Sequence, residues 1–312
     1  MTNKYFTKAF QGKNCWWRYI LLLAIIFAAT QLGSIPFSIV AAAKALSKGL
    51  ALNSSNLTNF SLLGIDSNLG LFLMLIPFTA GLIAFILLIK PLHSRSITDT
   101  ITGRKKFDLN RFFFAIGVWG GLMLLSFIIS YKLNPDDYII QFDVKQFVIL
   151  FLISAIFITL QATFEEVIFR GYLQQGLAVL TKNTWIPLII TSILFGLLHI
   201  TNPEVKEYGV ALMLPQYIIL GLTFAICVIM DEGLEIAIGV HVINNVLSSL
   251  LVTHDSSVLQ TASIFRAKDI DPVFSLIELL IFSAVFILIM TYKYKWGSFR
   301  KLFSSVKPEL IN

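Results

Sequence analysis

A chain of 312 residues in which 56% are hydrophobic and 13% charged carries roughly half the charge of an average soluble domain. Its 27 Phe and its long apolar stretches exceed what water-soluble cores of this length would hold, so the bilayer is the solvent for most of the chain. The formal charge of +6 is no argument for nucleic acid, because Lys and Arg gather on the cytoplasmic loops of membrane proteins for topological reasons. Cys15 and Cys227 have no spacing that makes a disulfide framework or a zinc knuckle.

A helix that crosses a membrane needs about 20 mostly apolar residues. Eight stretches qualify, near 19–42, 69–89, 112–130, 146–164, 185–200, 210–230, 234–252 and 273–292, which predicts an all-α fold, a polytopic integral membrane bundle of about eight transmembrane helices. The first follows Lys4, Lys8, Lys13 and Arg18, like the charged start of a signal peptide, but its apolar run continues past Gly33 and Pro36 to Ala43 and reads as an uncleaved anchor. Eight spans return both termini to one side. With the amino terminus inside, 17 of the 24 Lys and Arg fall on inner segments, which predicts cytoplasmic termini, and the short loops lean toward a bacterial plasma membrane.

No repeat or separate soluble domain is visible, since the connections at 43–68, 90–111 and 253–272 are too short to fold alone. The first of them, with Asn53, Ser54, Ser55, Asn56, Thr58 and Asn59, is polar without a chemical signature and reads as a solvated loop. The chain divides into residues 1–144 with the amino-terminal helices and loops, 145–255 with the polar islands described next, and 256–312 with the last helix and a basic tail.

Ionisable residues inside apolar stretches carry the information in a membrane protein, because each is costly unless paired or wetted. Nearly all lie between 161 and 245, in three islands: Phe164-Glu165-Glu166-Val167-Ile168-Phe169-Arg170-Gly171, Phe195-Gly196-Leu197-Leu198-His199 and His241-Val242-Ile243-Asn244-Asn245. Glu166 and Arg170 are four apart with the acid first, the favourable order for an ion pair on one helix face. Glu165 lies about 100° around the helix, lacks that partner and is available as a proton acceptor or donor. His241 and Asn245 are also four apart and address one side together. If the helix of Glu165 runs to about Leu180, turns at Thr181-Lys182-Asn183-Thr184 and returns from Trp185, Glu165 and His199 come nearly level. A Glu, two His and an Asn then converge on one buried cavity.

Each island also has a structural reading. The Glu166–Arg170 pair can be a clamp between helices, and His199 and His241 can be hydrogen-bonded packing residues. Phe195 reads most simply as a core aromatic that can shape the site wall. His93 and His254 read as loop residues without a role, and Glu278 as an isolated acid facing a wet gap between helices. Asp231, Glu232 and Glu235 read as a solvated helix boundary.

The order EExxxR, FxxxH, HxxxN in a polytopic helical chain resembles the CPBP intramembrane protease family, also called Abi, which includes the CaaX prenyl proteases and bacteriocin-processing enzymes. The match is Glu165, Glu166 and Arg170, then Phe195 and His199, then His241 and Asn245, and it covers roughly residues 145–255, which would form the catalytic core. The resemblance implies an endopeptidase working in the membrane, with Glu165 and His199 activating water and His241 and Asn245 polarising the scissile carbonyl and stabilising the oxyanion. Glu166, Arg170 and Phe195 would support the site. The cofactor is either none or one divalent metal such as zinc, for which Glu165, His199 and His241 are the ligand candidates.

The implied partners are a peptide or protein substrate, lipidated or not, and membrane lipid, with no nucleic acid; oligomeric state is not readable. Pro308-Glu309-Leu310-Ile311-Asn312 holds no CaaX box, so the chain is not itself expected to be prenylated. Two other classes remain: a non-catalytic scaffold or bacteriocin-immunity protein of the same fold, and a transporter, against which the lack of internal symmetry counts.

Overall fold

Aspartate caps set where four of the principal helices begin. The carboxylates of Asp66, Asp108, Asp143 and Asp271 accept hydrogen bonds from backbone amides of the first turns that follow them. The computed structural model describes residues 3–52 and 59–308. In it eight apolar helices follow one another: α1 Trp16–Ser47, α2 Ser67–His93, α3 Leu109–Leu133, α4 Val144–Thr181, α5 Trp185–Leu198, α6 Val210–Asp231, α7 Glu235–Leu251 and α8 Pro272–Tyr294. The protein is a polytopic helical membrane protein. The polar positions Asn53 to Thr58, and Glu309 to Asn312, lie outside the described residues.

Eight apolar stretches thus become eight helices, but among the described residues six are long and apolar enough to span, while α5 and α7 are shorter. Burial explains α7: every residue from Glu235 to Val242 is buried, so protein rather than lipid surrounds its first two turns and its length need not match a bilayer. The outer helices show the opposite character, with Phe27 66%, Leu32 68% and Ile39 63% exposed along α1. Small residues let backbones meet. A Cβ at Gly33 of α1 would lie 2.8 Å from Pro77 Cα of α2, and one at Gly239 of α7 would lie 2.6 Å from the Phe112 carbonyl of α3.

At one end of the bundle, α4 closes at Thr181 with Lys182 in the left-handed conformation, and α5 starts at Trp185, matching the hairpin expected from the sequence. Both terminal segments pack against this same end. Val306 N donates to Lys182 O (2.9 Å) and Thr184 N to Ser304 O (3.1 Å). Asn3 donates through its side chain to Ile229 O (2.9 Å), and the Tyr5 hydroxyl lies 2.8 Å from Thr100 O and 2.9 Å from Arg170 O.

Three sequence expectations change here. Asp231 and Glu235 are buried rather than solvated, because the basic connection 102–111 folds over the α6–α7 turn. Arg104 reaches Asp231 at 2.8 Å and Glu235 at 3.2 Å, Arg111 also pairs with Asp231, and the Trp296 indole donates to Asp231 at 2.9 Å. Only Glu232 is half-buried, 3.7 Å from Lys301. His93 is no loop residue: it ends α2 fully buried, 2.7 Å from the Tyr172 hydroxyl and 2.8 Å from Lys13 O. Glu278 is not isolated, since the Ser126 hydroxyl of α3 donates to it.

The opposite end carries a small sheet of β1 Tyr138–Ile140, β2 Val252–Thr253 and β3 Phe265–Ala267, in the order β1-β3-β2. Tyr138 pairs antiparallel with Ala267, and Val252 parallel with Phe265.

Candidate active site

The helix that carries Glu165 and Glu166 is not regular. Two stretches of α4, Ser154–Ile158 and Val167–Leu173, widen into π-helix on either side of the pair. Such insertions re-aim side chains and loosen the local backbone hydrogen bonding, and they recur at functional sites. The second stretch carries Arg170, whose carbonyl meets the Tyr5 hydroxyl. The amino-terminal segment therefore supports the turn next to the glutamates.

Glu166 and Arg170 pair at 2.8 Å, both fully buried, as the four-residue spacing predicts. The guanidinium also donates to Gly221 O of α6 (3.1 Å) and lies 4.5 Å from the Phe195 ring centroid. A second bond reaches the same Glu166 oxygen: His241 Nδ1 stands 2.8 Å from Oε1. His241 Nε2 faces Glu165 Oε2 at 3.6 Å, an ion-pair separation rather than a hydrogen bond. Among the described residues Glu165 has no guanidinium partner, as expected, but its Oε1 accepts a 2.6 Å bond from Gln161 Nε2, one turn back on α4. Gln161 in turn accepts from Asn245 Nδ2 at 3.1 Å. Glu165, Glu166, Arg170, His241 and Asn245 thus form one connected polar cluster across α4 and α7.

His199 is reached through an aromatic ring. It caps the carboxyl end of α5, half-buried, with Nδ1 2.7 Å from Phe195 O. A carbonyl only accepts, so Nδ1 carries the proton, and in the neutral ring Nε2 is left as an acceptor. Tyr217 of α6 stacks on the imidazole, with centroids 4.5 Å apart and planes at 22°. The fully buried Phe195 ring stands between the two histidines, 4.7 Å from His199 and 5.8 Å from His241. Phe224 stacks on the other face of the site, 4.9 Å from His241 at 22°. Phe195 is both a core aromatic and a wall of the cluster.

The ligand trio Glu165, His199 and His241 does not form a metal set as the side chains stand: among the described residues no group of three His, Cys, Asp or Glu is disposed to hold a metal ion. His241 Nδ1 and His199 Nδ1 are engaged by Glu166 and by the Phe195 carbonyl. What the cluster offers through side chains alone is a carboxylate, one oriented imidazole and amide donors, with the second imidazole, His199, across the Phe195 ring. Carboxylate, imidazole and amide donors are parts that hydrolysis of an acyl bond needs.

Sequence reasoning did not single out Gln161, Asn244, Trp119, Tyr217 or Phe224. Gln161 had a signal, an amide in an apolar stretch four residues before Glu165. Trp119 and Tyr217 had none, because an aromatic in a transmembrane helix is ordinary and their contacts come from helices distant in sequence.

Comparison with known proteins finds a match over the stretch of chain that carries most of this cluster. Residues 145–247 match the family model described as Rce1-like, type II CAAX prenyl endopeptidase Rce1-like. The chain is 28% identical over 261 residues to the uncharacterized protein YyaK of Bacillus subtilis (strain 168), an alignment that covers 81% of this chain and 83% of that protein. No solved structure matches it.

Proposed function

We propose that this chain, whose residues 145–247 match the Rce1-like family model, is an endopeptidase of the CPBP type that hydrolyses a peptide bond of a membrane-associated substrate. The observation that carries the reading is the contact of the first and third motifs in one buried cluster, with His241 2.8 Å from Glu166 and 3.6 Å from Glu165.

In this reading Glu165 takes a proton from a water, with the Nε2 lone pair of His199 helping to orient that water, and the hydroxide adds to the scissile carbonyl carbon. The carbonyl electron pair moves to oxygen, where N–H groups of His241 and Asn245 face the developing charge. Collapse re-forms the carbonyl and breaks the C–N bond, and the proton held on Glu165 leaves with the amine. Glu166 and Arg170 act beneath the site. Their ion pair supplies a fixed acceptor for His241 Nδ1 and holds the ring edge-on to Glu165.

The terminal segments lie at the end that also holds Lys8, Arg95, Arg104, Arg111 and Lys301, and the positive-inside rule makes that end cytoplasmic. The substrate is a peptide or protein, lipidated or not.

The test uses the full chain in lipid nanodiscs with internally quenched peptides. Farnesylated and unfarnesylated peptides ending in a CaaX box form two arms, and an unprenylated peptide library forms a third. Cleavage in any arm that disappears in Glu165→Gln supports the reading, and the arm identifies the substrate class. No cleavage in all three, or cleavage that persists in Glu165→Gln and His199→Ala, overturns it in favour of a scaffold.

A further inference from the structure

A chain of side-chain amides enters the cluster from outside the family-matched segment. The indole Nε1 of Trp119, on α3, donates to Asn244 Oδ1 at 3.2 Å. Asn244 Nδ2 donates to Asn245 Oδ1 at 3.1 Å, Asn245 Nδ2 to Gln161 Oε1 at 3.1 Å, and Gln161 Nε2 to Glu165 Oε1 at 2.6 Å. Trp119 is 1% exposed, and its ring meets Phe282 and Phe286 of α8 edge-on at 6.1 and 5.5 Å, so it has no room to turn.

The two ends of this chain fix its direction. An indole N–H is a donor and never an acceptor, so Asn244 must turn its oxygen to Trp119 and its NH2 to Asn245. Asn245 must then present its oxygen to Asn244 and its NH2 toward Gln161. Gln161 meets that NH2 with its oxygen and turns its own NH2 to the carboxylate, an acceptor when ionised. Reversing any one amide sets two donors or two acceptors against each other at both of its contacts. Direction matters for Asn245 above all. Its NH2 has two hydrogens, one engaged by Gln161 and one left for a substrate oxygen, whereas the flipped amide would present Oδ1 and repel a developing oxyanion.

We infer that Trp119 and Gln161 are positioning residues, which hold the Asn245 amide with its N–H groups toward the reacting carbonyl and aim the Glu165 carboxylate. This rests on the peptidase reading for its consequence in catalysis, but not for the existence of the chain. It also gives α3 and α8, which lie outside the matched segment, a place in the working site.

The experiment is a double-mutant cycle on the full chain in nanodiscs, using whichever quenched peptide the wild type cleaves. Trp119→Phe keeps the aromatic packing and removes the donor, and Gln161→Leu breaks the chain at its other end. Each single variant is expected to lower kcat about tenfold or more with KM within about twofold, as misaimed groups do. The double variant is expected to be no slower than the slower single, because both act through one chain. Unchanged kcat in Trp119→Phe, or effects that multiply, overturns the inference.

A second readout needs no activity: the indole 1H–15N signal of Trp119, assigned by its loss in Trp119→Phe. It is expected to move in Gln161→Leu, and an unmoved signal overturns the chain. If the wild type cleaves nothing, the peptidase reading has failed and this signal alone decides whether the chain exists.

Discussion

Glu166 holds His241 by its Nδ1, 2.8 Å from Oε1, and so decides which way the imidazole faces. The same oxygen accepts from Arg170, which keeps it an anion and therefore an acceptor only. Nδ1 must carry a proton, and Nε2 is the nitrogen that turns to Glu165. In the proposed reading two consecutive glutamates thus have opposite duties, one locked into structure and the other open to chemistry.

That division predicts different outcomes for the same substitution at neighbouring positions. Glu165→Gln is expected to lower kcat about 100- to 10,000-fold, the span ascribed to a general base, with thermal melting in detergent within a few degrees of wild type. Glu166→Gln is expected to lower activity and melting together, because it leaves the Arg170 guanidinium buried without its counter-charge. Paired kinetics and melting curves check both, and a Glu166→Gln protein as stable as wild type would contradict the assignment.

Arg170→Met strands Glu166 in a fully buried position and is expected to cost about 3–5 kcal/mol. The double variant Glu166→Leu with Arg170→Met removes both charges and should regain most of that stability while remaining inactive, because His241 loses the acceptor on Nδ1. Denaturant titration of the purified proteins separates the two effects.

Tyr5→Phe removes the hydroxyl that meets Thr100 O and Arg170 O, and leaves buried carbonyls without that donor. The expected cost is about 1–3 kcal/mol. It should be accompanied by faster amide exchange in the Val167–Leu173 turn, read by hydrogen–deuterium exchange. Exchange unchanged in that turn would show that the amino-terminal segment does not support it.

Gly81 of α2 sits under the residue before Glu165: a Cβ there would lie 2.7 Å from Phe164 Cε2 and 2.9 Å from Thr30 Cγ2. Gly81→Val is expected to push Phe164 aside at a cost of about 1–3 kcal/mol and to lower kcat more than it raises KM. Steady-state kinetics at a temperature well below the melting point make the comparison.

His254, in the connection after β2, supplies a pH dependence. Burial holds its pKa below the usual 6.5 in spite of the opposing pull of Glu204, Asp255 and Asp269. The sign follows from linkage. The unfolded chain binds this proton more readily, so the native state keeps its full stability above about pH 6.5 and loses it as pH falls from there through the lower native pKa. His254→Gln is expected to flatten the decline in melting temperature between about pH 7 and pH 5 relative to wild type. An equal slope in both proteins would remove His254 from the account.

Much of this architecture was legible because membrane sequences speak through contrast. The apolar stretches located the helices, the i, i+4 spacing anticipated the Glu166–Arg170 bond, and the turn at Thr181 to Thr184 follows from the polar residues there. Other features were hidden for a physical reason. Asp231 and Glu235 look like a solvated boundary until the connection 102–111, more than a hundred residues away in sequence, brings Arg104 and Arg111 over them. The partners of Glu165 were hidden as well, since whether Gln161 reaches it depends on the rotamer and on Asn245 from another helix. The shortness of α7 was concealed by its composition, because burial in protein and burial in lipid ask for the same residues.

The carboxyl-terminal latch has a consequence for how the molecule comes into being. Thr184 N bonds Ser304 O, and Trp296 bonds Asp231, so the turn that ends the helix of Glu165 and the turn that leads into the helix of His241 wait for residues made more than 60 positions later. During synthesis the motif-bearing helices reach the bilayer before their clasp exists, and domains fold as their parts become available. A nascent chain paused after α7 would therefore hold every motif residue and still lack the tie that sets them. Maturation, not insertion, would be the moment at which the cluster becomes a working site.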